Sequence, residues 1–159
     1  GHHRIGFISN ASLHYTSAQQ RRQGYLRALA EAGIPAEGEL QQEGAYTAES
    51  GFEAMKKILK GTNPPTAVFI ASDVVALGAM QAIRNFGKRI PDDIALVGFD
   101  DISMAGFFDP PLTTIRLPAF KLGWTAGEQL VKLILGKPLE QPGILLDIDL
   151  VVRESSKRP

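Results

Sequence analysis

The sequence predicts an α/β fold, an open doubly wound parallel sheet with helices on both faces. Three observations predict it. Short apolar runs alternate with helical patterns along the whole chain, joined by short loops. The run Ala67 to Ala71, "AVFIA", is apolar without a break, as a strand covered on both faces must be. Finally, every apolar strand or strand–turn gives way to polar or aromatic residues: Ser9-Asn10, Tyr46, Ser72-Asp73 and Asp100-Asp101.

The totals narrow the function classes. A chain of 159 residues suits one domain with a sizeable core. Lysine plus arginine equals aspartate plus glutamate at 17 each, so the net charge is zero. Nucleic-acid-binding domains carry a basic excess, because phosphate neutralisation supplies their non-specific affinity; this chain by itself is no such domain. The absence of cysteine excludes disulfides, thiolate zinc sites and cysteine nucleophiles, and suits a reducing compartment. No apolar run reaches membrane-span length and no signal peptide opens the chain, so the expected location is cytoplasmic.

The chain begins directly on a strand, Ile5-Gly6-Phe7-Ile8, which suggests a piece of something longer. Ser17 to Ala32 is a helix, with Ser17 and Gln20 as a capping box, Gly33 as its stop and Tyr25, Leu26, Leu29 and Ala30 as its apolar stripe. Gly24 in its middle costs about 1 kcal/mol against alanine, which predicts close packing there. Glu39 to Gln42 is a second strand, placed by its neighbours. Thr47 caps a helix running to Lys60, with Ala54, Met55, Ile58 and Leu59 facing the core and Gly61 as stop.

After the rigid Asn63-Pro64-Pro65 loop comes the "AVFIA" strand. A helix to Phe86, capped by Ser72 or Asp73, then carries apolar residues nearly all round, so one face meets the sheet and another meets something else. Ile94 to Val97 is the next strand. It breaks at Gly98 into Asp100-Asp101 and leads through Pro110-Pro111 to Thr113-Thr114. Pro118 opens a helix from Ala119 to Leu135, holding Trp124 and the run from Leu130 to Leu135. Ile144 to Val152 alternates as a half-exposed strand. The tail "RESSKRP" reads as polar and frayed.

Ligands of doubly wound sheets bind beyond the carboxyl ends of the strands. Those ends offer Tyr46, Ser72 and Asp100, and Arg21 in the first helical turn reaches the same rim. A carboxylate that accepts hydroxyl protons, a guanidinium that donates to oxygens and a flat aromatic suit a polyhydroxylated ligand. Each residue also has an ordinary reading. Ser72 and Asp73 cap helices, Asp100-Asp101 make turns, Tyr46 sits on a surface and Arg21 is solvated. The case rests on the coincidence of four strand ends. His2, His3 and His14 have no metal-like spacing with a carboxylate, so no metal is expected. No cofactor motif is present either. "GTNPPT" lacks the lysine and spacing of a phosphate loop and there is no nucleophile elbow, so no enzyme is expected. The competing enzymatic reading is magnesium at Asp100-Asp101.

Several stretches resemble the effector-binding domain of lactose-repressor-type (LacI/GalR) transcription regulators. They are "GHHRIGFI", Arg21-x-x-Gly24-Tyr25, "TAVFIASDVVALGAMQAIRNFGKRIPDDIALVGFDD", "PPLTTI", "GWTAGEQLVKLI" and "LVVRESS". The resemblance runs from Gly1 almost to the end. It implies a periplasmic-binding-protein-like type I lobe at 1–115, a crossover segment and helix at 116–143 that pack on a missing N-terminal lobe, and a returning strand and tail at 144–159. It also implies that Arg21, Tyr46, Ser72 and Asp100 contact a small-molecule effector, with a sugar expected from the family's habits. Operator DNA would be bound only through a helix-turn-helix headpiece absent here. Two departures bear on the ligand: Ser72-Asp73 stands where the family commonly has Asn-Asp, and Leu117 where some sugar-responsive members have a polar residue. The resemblance further implies a homodimer through Leu77, Met80, Phe107 and Phe108. The Ala119 to Leu135 helix is expected to dock on a neighbouring chain or fold back on its own sheet, because so much apolar surface is costly in water. The alternative within the same architecture is a lobe of a periplasmic sugar-binding protein.

Overall fold

The computed structural model describes residues 1–139, 141 and 143–157. In chain order its elements are β1 (Ile5–Ile8), α1 (Thr16–Glu31), β2 (Gln41–Gln42), α2 (Ala48–Leu59), β3 (Ala67–Ile70), α3 (Asp73–Asn85), β4 (Ala95–Asp100), β5 (Thr113–Arg116), α4 (Ala119–Ile134) and β6 (Asp149–Val151). The strands form one sheet in the order β2-β1-β3-β4-β5-β6. All neighbours run parallel except β6, which closes the edge antiparallel to β5. The chain reverses its direction of winding between β1 and β3, so a switch point lies there.

The period-2 alternation of the strands decides which helix covers which face. Ile8, Val68, Ile70 and Leu96 point to one side and bury against α2 and α3. Phe7 and Phe69 point to the other, where they meet Tyr25 and Leu29 of α1. Tyr25 stacks on Phe7 at 5.1 Å and its hydroxyl donates to the Ile5 carbonyl at 2.7 Å. Removing a side chain such as Met55, Ile58 or Ile83 from water contributes roughly 1.5–3 kcal/mol each. The helices α2 and α3 touch backbone to backbone. A Cβ on Gly78 would lie 1.6 Å from the Ala48 carbonyl oxygen, and one on Gly51 1.9 Å from that of Val75. Only glycine allows that crossing.

Local signals placed most boundaries. Thr47 accepts from the Ser50 N–H and caps α2. Gly33 and Gly87 follow α1 and α3 with positive φ, and the next residue's N–H returns to the carbonyls of Leu29 and Ile83. The capping box at Ser17 and Gln20 does not form. The α1 helix starts one residue earlier, and the Tyr15 carbonyl accepts from the N–H groups of Ala18 and Gln19. Gly24 is exposed with nothing near the place of a Cβ, so the close packing expected there is absent; Ala30 is exposed too. The first half of the expected second strand lies in a 3-10 turn, Gly38–Leu40, and only Gln41–Gln42 pair as β2.

The largest corrections concern the last third of the chain. Thr113–Arg116, where the sequence marked no strand, forms β5. Of Ile144 to Val152 only three residues pair, because β5 offers a ladder only between Thr114 and Arg116. The tail is not frayed through Lys157: Ser155 is completely buried, donating to the Leu96 carbonyl and accepting from the Thr113 N–H. No residue of α4 is buried. Phe120 is 82% exposed and Ile134 74%, so the helix does not fold back on its own sheet. The two faces are already served by α1 and by α2 with α3. Met80 and Phe108, expected on a dimer face, turn inward at 2% and 7% exposure and join the core, leaving Leu77 and Phe107 outside. Positions 140, 142, 158 and 159 of the expected crossover, strand and tail lie outside the described residues.

Candidate effector site

The polar ends of β1, β3 and β4 meet at one rim. Asp100 ends β4 with a φ of +119°, a conformation L-residues rarely adopt. Its carboxylate accepts from the Ser72 hydroxyl and from the Asp73 N–H. Ser72 holds the N-cap position of α3, yet its side chain does not cap the helix. It is spent on Asp100. Arg21 donates to the Ala71 carbonyl at 3.1 Å and lays its guanidinium over the Phe99 ring at 4.0 Å. The residues next to Ser72 and Asp100 thus aim Arg21, and its charge acts on Asp100. Burial raises the Asp100 carboxyl above its ordinary value, with Arg21, Ser72 and the Asp73 N–H opposing that rise.

Tyr46 joins from the loop after β2. Its φ of +58° is also left-handed, and its N–H donates to the Asn10 carbonyl at 2.8 Å, which hangs the ring beside the end of β1. The ring is 56% exposed, available for stacking. Asn10 is 2% exposed, and its Oδ1 is a buried side-chain oxygen without a hydrogen-bond partner among the described residues. An acceptor left open in this way is an invitation to a hydroxyl or a water. Ser9, by contrast, is committed to the scaffold through the Ala11 carbonyl and the Gly44 N–H. The structure therefore brings Arg21, Ser72 and Asp100 into one linked group and sets Tyr46 on the neighbouring strand end. The strained φ values cluster here, at Tyr46, Asp100 and Asp101.

Asp73 is the residue whose role sequence reasoning missed. It is fully buried, and its carboxylate accepts from the Thr114 hydroxyl at 2.7 Å and from the N–H groups of Ile102, at 3.0 Å, and Phe99. Burial raises its carboxyl above the ordinary value; the hydrogen bonds resist this and nearby Asp100 adds to it. A Cβ at Gly98 would stand 2.3 Å from Asp73 Oδ1, so the glycine makes room for the carboxylate. The Gly98 break beside an acid at a helix start was the available signal.

Asp101 faces the other way. Its Oδ1 accepts from Arg153 and its Oδ2 from Arg116, both at 2.6 Å, with the side chain 7% exposed. Burial would raise its carboxyl, but the two arginines outweigh burial and hold it below the ordinary range. Among the described residues no group of three or more histidine, cysteine or carboxylate side chains is arranged to hold a metal ion. The rim offers carboxylate, guanidinium, hydroxyl, amide and aromatic face, a set that binds hydroxyl-rich or heteroaromatic molecules by hydrogen bonds and stacking.

Comparison with known proteins bears on the family and the fold. Residues 1–156 match the periplasmic binding protein-like domain family. The chain is 40% identical over 158 residues to a probable HTH-type transcriptional repressor, ExuR, of Bacillus subtilis (strain 168), covering 99% of this chain and 47% of that protein. Among solved structures, a transcriptional regulator CelR–cellobiose complex superposes with a TM-score of 0.92 at 36% identity, over 98% of this chain and 47% of that one. A dimeric Lac repressor with an 11-residue C-terminal deletion gives 0.92 at 34% identity, over 100% and 57%. The chain spans about half the length of the relatives it matches.

Proposed function

The chain belongs to the periplasmic binding protein-like domain family, with lactose-repressor-type regulators as its homologues, and from this premise we propose that it is the effector-binding and dimerisation part of such a regulator. The observation that carries the reading is the linked set Arg21, Ser72 and Asp100 at the carboxyl ends of the strands, with Tyr46 tied to the end of β1. A neighbour of the same fold is named as a complex with cellobiose, and a sugar is the ligand class that these groups suit best. Asp100 accepts ligand hydroxyl protons, Arg21 donates to ligand oxygens, and Tyr46 stacks on an apolar ring face. The alternative of a periplasmic sugar-binding protein is disfavoured, because the curated relatives are repressors.

In this reading residues 1–115 form the lobe that holds half of the site. Residues 116–143 are the excursion towards a second lobe, and the chain returns through 144–159. DNA is bound by a headpiece elsewhere in the full-length protein, and the cytoplasm is where such a regulator works. The site binds and does not catalyse. Effector acts by binding one lobe arrangement better than the other, which is the only way a ligand can shift that equilibrium. Dimerisation uses Leu77 and Phe107, the two expected contact residues that remain exposed.

The test is a thermal-shift panel of monosaccharides, cellobiose, sugar acids and nucleosides on the protein at its natural length. A ligand that binds only the folded state adds roughly 2.7 kcal/mol at a hundredfold excess over its dissociation constant. The expected outcome is a rise in melting temperature with at least one sugar, lost in Asp100→Ala. A rise with nucleosides alone would replace the sugar reading, and no rise with any compound would overturn it.

A further inference from the structure

The turn that presents Asp100 also holds the two ends of the α4 excursion. The chain leaves the sheet after Arg116, at the end of β5, and comes back through Asp149–Val151 to Arg153. Both arginines close on one carboxylate, that of Asp101, at 2.6 Å each. Arg153 is anchored in addition by its second guanidinium nitrogen on the Leu112 carbonyl and by its N–H on the Thr113 hydroxyl. The turn is stitched to β5 from within as well. Thr114 donates its hydroxyl to Asp73 and accepts from the Asp101 N–H, and the Asp100 carbonyl accepts from the Leu117 N–H at 3.5 Å. Asp100 and Asp101 share a peptide bond and both have positive φ, +119° and +54°. A non-glycine pair keeps that conformation only where the surroundings over-determine it. The restraints named here do so, and Asp101 supplies the charged ones.

We propose that Asp101 is a positioning residue: it clamps Arg116 and Arg153, the two stems of the α4 excursion, to the turn that orients Asp100, so that the aim of Asp100 and the seating of the excursion are one mechanical state. This rests on the reading of Asp100 as a ligand contact only for its functional meaning; the clamp itself is a property of the unliganded chain.

Two variants test it without any ligand. Asp101→Asn removes the charge that both arginines share. Arg116→Gln removes one partner that is half exposed and leaves the core intact. Arg89→Gln, from exposed ion pairs elsewhere, is the control. Hydrogen exchange is read at 113–116 and 149–151 against α2 and α3, and the carboxyl of Asp100 is titrated by carbon NMR. The expected result is exchange roughly tenfold faster in the two strands only, the effect of losing one charge-assisted hydrogen bond, together with a moved Asp100 titration in both variants. Faster exchange with Asp100 titrating unchanged would reduce Asp101 to an ordinary structural tie and overturn the proposal. Unchanged exchange, or equal acceleration in α2 and α3, would overturn it as well. The outcome of the sugar panel does not alter either reading.

Discussion

Asp100 and Asp73 are both held above the ordinary carboxylate range by burial, but they answer differently to replacement. The unfolded value is near the ordinary 3.8, and the folded value of Asp100 lies higher. The folded chain therefore binds more protons than the unfolded chain between those values, and stability falls as pH rises through them. Asp100→Asn lifts that loss. Urea titrations of the unliganded chain should show the variant gaining on wild type as pH climbs from the acid side towards neutrality, while its response to effector disappears. A residue that costs stability in the unliganded chain fits the binding role proposed for Asp100. Asp73→Ala goes the other way. It orphans the Ile102 and Phe99 N–H groups in the interior and opens a void under Gly98, a loss on the order of 3 kcal/mol; the urea midpoint should drop at every pH. Asp101 has the opposite linkage, since its folded value is depressed. Its contribution is present above the unfolded value and is lost as pH falls through the folded one.

At the scale of the elements, what was legible depended on whether the cause was local. Thr47, Gly33 and Gly87 place helix ends because caps and left-handed turns act within a few residues. The unbroken "AVFIA" run and the alternation of Phe7 with Ile8 place the central strands. Strand β5 was not legible, because "PPLTTI" becomes a strand only through pairing with β4 and β6. The tail was misread for the same reason: Ser155 looks polar and free, yet it is buried by hydrogen bonds to residues 42 and 59 positions away. The places of Ser72 and Asp100 at strand ends made them candidates for a site, and the structure adds that the two ends share one rim. The resemblance picked out Asp100 among the three acids; the hydrogen bonds of buried Asp73 and the two arginines on Asp101 could be seen only in the fold. The α4 helix shows the limit of amphipathic pattern: it has the composition of a buried helix and no buried residue. Trp124 is the single tryptophan of the chain and is 65% exposed, so it reports on this element alone. Its emission in the isolated chain should be that of a wet indole, fully open to acrylamide. In the full-length protein it should shift to the blue and lose its quenching, as docking on a second lobe removes the helix face from water.

For the whole molecule the proposed dimer raises the question of which surface two copies would share. The outer surface of α2 and α3 forms a groove of about 450 Å³ lined by Ala48, Phe52, Leu77 and Gly78, with Glu49 and Glu53 on one wall and Arg84 on the other. Apolar floor and opposite charges on facing walls make a self-complementary surface, which is what a two-fold contact needs. A two-fold would set Arg84 of one copy against the acids of the other while Leu77 closes the centre. Phe107, 88% exposed in the turn after β4, extends the apolar area beyond the groove. Met80 adds nothing, since it faces the sheet. Leu77→Glu should therefore shift sedimentation at high protein concentration from dimer to monomer and leave the melting temperature of the monomeric fold nearly unchanged, because Leu77 is 42% exposed and little core is lost. Met80→Ala should do the reverse: about 2–5 kcal/mol of fold stability lost, with the self-association of the still-folded fraction retained. A monomer for wild-type chain at high concentration, or a Leu77→Glu variant that still sediments as a dimer, would place the contact elsewhere on the molecule.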